Sequence, residues 1–124
     1  MTLSTETRDK TLALLRSALS IIERWIEEDE PAAAISRHGS LASRDLIKAD
    51  LLLQRAGESN EYGHPRYNMH EAVVQLYQAE EGQLNHLEAR LMTKTKVSEI
   101  WSNWCVSEAC RHIRTAILLI EGKE

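Results

Sequence analysis

Cys105, Glu108 and His112 stand at i, i+3 and i+7 in a stretch of helical apolar spacing, so they share one side of a helix. Thiolate, carboxylate and imidazole are all zinc ligands, and Glu80, on the preceding predicted helix, is a possible fourth. The pattern stops short of a metal motif. A di-iron bundle needs a Glu-x-x-His pair on each of two helices, and three residues after Glu108 this chain has Arg111. A free cysteine on an inward helix face is more often simple core. No metal and no other cofactor is therefore expected, and a metal-binding bundle is kept as an alternative. Nucleophilic catalysis has less support still. Cys105 and Cys110 lack a recognisable flanking signature, the five histidines are scattered, and no glycine-rich phosphate loop is present. No catalytic residue is assigned.

Glu80 is anomalous for a second reason. It falls in a stripe formed by Met69, Val73, Leu76, Leu84, Leu87 and Leu91, where a leucine is expected and an unpaired buried carboxylate is costly. If the chain folds back near residue 94, antiparallel pairing places Glu80 opposite the stretch from Glu108 to His112. The expectation is a buried polar pair, Glu80–His112, that fixes helix register.

Two surface groups suit binding rather than catalysis. Arg44, Lys48 and Arg55 form one narrow stripe flanked by Leu41, Leu51 and Leu52. Basic residues bordered by leucines fit an acidic protein groove better than a phosphate backbone. The bland alternative is a solvated face whose leucines are covered by the loop at 58–67. That loop supplies the second group: Tyr62, His64, Arg66 and Tyr67 are residue types found at interface hot spots, gathered on one connection. Alternatively, the tyrosines seal the end of the core.

The elements that hold these residues are helical. The chain has 124 residues, 43% hydrophobic and 27% charged, with two Pro, five Gly and no Phe. That is enough for one core and too few turn residues for a β-rich domain, so residues 1–124 are read as a single all-α domain. A first helix is predicted over 5–28, capped by Ser4, with Leu12, Leu15, Leu19, Ile22 and Ile26 at 3-4 spacing. Residues 30–39 read as a short extra helical turn closed by Gly39. A second helix follows over 40–56, with Ser40 as cap, Gly57 as stop and a seam of Ala42, Leu46, Ala49, Leu53 and Ala56. Asn68 with Glu71 resembles a capping box and opens a third helix over 68–92. The stripe loses phase at 93–96, read as a turn, with a single long helix through this point and an extended dimer as the alternative. A fourth helix over 97–121 turns Trp101, Cys105, Ala109, Ile113, Ala116 and Ile120 inward. The sum is an antiparallel four-helix bundle.

The net charge is −4, and only residues 31–67 carry more basic than acidic groups. A nucleic-acid binder normally shows a clear basic excess, so a nucleic-acid-associated subunit using the helix 2 stripe is possible but not favoured. The longest apolar run, Ala116 to Ile120, is too short to span a bilayer. Two cysteines five residues apart on a helix point about 140° away from each other and cannot bridge, which suits a reducing cytoplasm. Surplus apolar residues beside the seams, such as Leu14, Ile21 and Val74, suggest a homodimer. The function expected is a small non-catalytic protein-interaction module, either a regulator or inhibitor or a subunit of a larger assembly.

Overall fold

Ser4 starts the first helix as its chemistry predicts. Its Oγ accepts the Thr7 N–H at 3.2 Å and its carbonyl accepts the Arg8 N–H at 2.9 Å. The computed structural model describes the backbone of residues 3–27, 32–92 and 97–122, and the side chains of 3–24, 39–79 and 104–122. Among the described residues the fold has four helices: α1 (Thr5–Glu27), α2 (Ala32–Arg55), α3 (Pro65–Met92) and α4 (Val97–Glu121). Each packs on two neighbours, α1 on α2 and α4, and α3 on α2 and α4, which is the ring of a four-helix bundle.

Two boundaries differ from the sequence pattern. There is no separate turn closed by Gly39; α2 runs unbroken through Gly39 and Ser40. A glycine inside a helix costs about 1 kcal/mol relative to alanine, and Gly39 keeps a negative φ. The helix tolerates this because Ala42, Leu46, Ala49 and Leu53 beyond it are all fully buried. Its far end is as expected. Gly57 adopts φ 83°, its N–H reaches Gln54 O at 3.0 Å, and the Glu58 N–H reaches Leu53 O at 3.0 Å. These are the two bonds of a Schellman stop. Ala56 lies past the helix and is exposed.

The second difference is the start of α3, at Pro65 rather than Asn68. Proline has no N–H to satisfy and its φ suits a first helical position. Asn68 is consequently not a cap. It lies one turn inside the helix, 6% exposed, with its N–H directed at His64 O.

The core draws on all four helices: Leu15, Ala18 and Ile22; Ala42, Leu46, Ala49 and Leu53; Met69, Ala72, Leu76 and Ala79; Cys105, Ala109, Ile113 and Ala116. Alanine at alternate levels of each seam lets the helices approach closely. Arg16–Glu121 at 3.0 Å and Arg114–Glu23 at 3.1 Å join α1 to α4 in antiparallel register. No helix among the described residues is long and apolar enough to cross a membrane.

Candidate functional site

The outer seam between α2 and α3 is unusually apolar for an exposed surface. Ile47 and Leu51 from α2 and Val74 and Tyr77 from α3 are 51%, 41%, 46% and 63% exposed. Two clefts indent this seam end to end. One, of about 250 Å³, lies among Leu46, Ile47, Asp50, Met69, His70 and Val73. The other, of about 210 Å³, lies among Gly39, Ser40, Ser43, Val73, Leu76 and Tyr77. Val73 lines both, so the two clefts are neighbours along the helix pair. The missing Cβ of Gly39 leaves open space at one end, where an added methyl would meet nothing within 4 Å.

Arg44, Lys48 and Arg55 lie on the exposed face of α2, outside the residues that line the two clefts. All three are exposed, and none pairs with a described acidic residue. The leucines beside them are not covered by the loop: Leu41 and Leu51 are each 41% exposed, while Leu52 is half-buried. The face therefore offers apolar surface and unmatched positive charge together.

The other end of the groove is built on Asp50. Arg66 donates its Nε to Asp50 Oδ1 at 2.7 Å and its Nη1 to Glu58 O at 2.9 Å, and His70 Nε2 meets Asp50 Oδ2 at 3.0 Å. Burial pushes the Asp50 carboxyl upward, but the hydrogen bonds and charges of Arg66 and His70 outweigh it and hold the group below the usual range. Arg66, assigned to a binding loop by sequence, thus ties the α2–α3 connection to α2. His64 likewise contributes its carbonyl, which accepts Asn68 Nδ2 at 3.2 Å.

A second recess, of about 440 Å³, opens on the other side of α3, between α3, α4 and the turn at 61–64. His112, 9% exposed, lies in its wall. Asn68 donates its Nδ2 to a backbone carbonyl, so its Oδ1 faces His112 Nδ1 at 2.9 Å and must accept. The proton is thereby assigned to Nδ1, and Nε2 accepts from Arg111 Nη2 at 3.2 Å. Burial, then the Arg111 charge, lowers the His112 pKa and keeps the ring neutral. Arg111 in turn donates Nη2 and Nε to one oxygen of Glu108, at 2.6 and 2.9 Å.

His112 is a buried polar residue as predicted, but its described partner is Asn68. The Glu80 side chain lies outside the described residues. Along α3, Glu80 stands twelve positions from Asn68, about 18 Å at 1.5 Å per residue. α3 ends at Met92 and α4 begins at Val97, either side of the expected turn at 93–96, which lies outside the described residues. The contacts Asn68–His112 and Gln78–Cys105 show that the two helices face each other in a different register from the one that pairs Glu80 with His112.

Glu108 Oε2 comes within 4.0 Å of His112 Nε2 on one side of α4, but Cys105 does not join them. Cys105 directs its thiol at Gln78 Oε1, 4.0 Å away, and burial raises its pKa. No group of three His, Cys, Asp or Glu suited to a metal gathers among the described residues. Tyr62 and Tyr67 come together at the mouth of the α3–α4 recess, ring centroids 5.1 Å apart and planes at 67°. Tyr62, 85% exposed, does not seal the core. Sequence spacing gave no signal for Asn68 as a buried partner, since Asn three before Glu reads as a cap. Comparison with protein-family models, curated proteins and solved structures finds no match to this chain.

Proposed function

We propose that this protein is a non-catalytic interaction module that holds an acidic amphipathic helix of another protein in the α2–α3 groove. One observation carries the reading: two adjacent clefts along the α2–α3 seam, on the same helix as exposed Arg44, Lys48 and Arg55, which have no acidic partner among the described residues. An amphipathic helix buries its apolar stripe in such a groove at i, i+3/i+4 and i+7. Its acidic flank would then meet the three cations, which steer the encounter and fix its direction. A two-fold dimer through the same face would oppose like charges, so the occupant is a different chain. A homodimer would instead seat on α4, where Trp104 and Leu118 are 49% and 44% exposed. The two buried, unbridged cysteines agree with a reducing cytoplasmic setting.

Photo-crosslinking tests the reading directly. A photoreactive amino acid at Ile47 or Tyr77 should capture one common protein in cells of origin, and the same group at exposed Ser17 on α1 should not. Replacing Arg44, Lys48 and Arg55 by Glu should abolish capture while circular dichroism stays unchanged. With the purified partner, affinity should weaken as salt rises. Capture that survives triple charge reversal counts against charge-guided docking. Binding of DNA or RNA that is lost on the same reversal would move the assignment to a nucleic-acid subunit.

A further inference from the structure

The recess between α3 and α4 has its own unmet chemistry, independent of the groove. It shares no lining residue with either groove cleft. Its volume, about 440 Å³, is that of a small-ligand site. The donors facing it are largely engaged. Arg111 is held by Glu108 and His112, and His112 uses both ring nitrogens. The acceptors are not. Glu71 has no hydrogen bond or ion pair among the described residues, and Glu108 is engaged through Oε2 alone, which leaves Oε1. Gln75 Oε1 is sealed from solvent with no donor. A buried acceptor without a donor is uncommon in a folded chain.

With His112 neutral, two carboxylates stand against one guanidinium, so the recess carries a net negative charge. Tyr62 and Tyr67 meet nearly at right angles at its mouth. Aromatic faces set at an angle beside a carboxylate attract a cation through the ring quadrupole. We infer that this recess binds an alkylammonium group, with Glu71 as its counter-charge, Tyr62 and Tyr67 as its walls and the carbon chain lying towards Leu119. The group belongs either to a free aliphatic amine or to a lysine side chain of a partner.

Titration of the full chain by ¹⁵N–¹H NMR tests this with n-butylammonium, putrescine and N-acetyl-lysine methylamide, against n-pentanol and inorganic phosphate. The ammonium probes should move Tyr67, Glu71, Gln75 and Arg111 in a saturable way, and pentanol and phosphate should not. Glu71→Gln keeps the shape and removes the charge, and should weaken binding about tenfold or more. Tyr67→Ala should weaken it less. Tighter binding of putrescine marks a free amine as the source, and tighter binding of the lysine amide marks a partner side chain. The inference is overturned by no saturable shift, by equal response to pentanol, by preference for phosphate, or by unchanged affinity in Glu71→Gln. Failure here leaves the α2–α3 groove untouched, because the crosslinking sites and these residues lie on different sides of α3.

Discussion

Asn68→Leu should destabilise the bundle by about 2 kcal/mol, because it removes the acceptor for a buried His112 N–H, and an unmatched buried donor costs roughly 1–3 kcal/mol. Asn68 is 6% exposed and His112 9%, so little of the pair is open to replacement by water, although both residues wall the α3–α4 recess. Leucine is close to asparagine in size, so steric change contributes little. The His64 carbonyl loses Asn68 Nδ2 but keeps the backbone N–H of the same residue. His112→Leu should cost a similar amount by leaving Asn68 Oδ1 without a donor. The double variant should be far less destabilised than the sum, since removing both members of a buried pair leaves no unmatched group. The expected coupling is about 1–2 kcal/mol. For a domain of this size, each kcal/mol moves the Tm by about 4 °C, so either single variant should melt about 8 °C lower. Urea unfolding followed at 222 nm on all four proteins gives the cycle. Additive effects, with coupling below about 0.5 kcal/mol, would refute Asn68–His112 as the contact that sets the α3–α4 register.

Two further outcomes follow from the same structure. Gly39→Ala should raise stability by about 1 kcal/mol, or about 4 °C in Tm, because Gly39 is helical and a methyl there meets nothing; a lower Tm would mean the space at Gly39 is not open. Acid should weaken the fold in two stages. His112 is held neutral, its pKa lowered by burial and by Arg111, so below about 6.5 the unfolded chain takes up a proton that the folded chain resists. Stability therefore falls as pH drops from there towards the lowered folded pKa. Asp50, also lowered, stabilises above about 3.9, and that contribution is lost as pH falls through its folded value. Urea midpoints across pH should show the first stage flattened in His112→Gln, and parallel curves for the two proteins would exclude His112 as its origin.

The apolar period determined four helices and their inward seams, and the chemistry of the flanking residues determined the Ser4 and Gly57 boundaries. Each of these depends on residues within one or two turns of each other, where spacing fixes the face. The stripe of Arg44, Lys48 and Arg55 was legible for the same reason: three positions on one helix need no knowledge of a second helix. The clefts were not. They exist because residues such as Ile47 and Val73 line opposite sides of the α2–α3 seam, and the recess because Asn68, Glu71 and Gln75 share its lining with Glu108 and His112 across α3 and α4. Such pairs depend on inter-helix register, which the spacing along one helix does not fix even where the break between helices is read correctly. The sequence pattern therefore pairs His112 with Glu80, while in the fold its described partner is Asn68. Local periodicity chose the faces, and only packing between helices chose which residues meet.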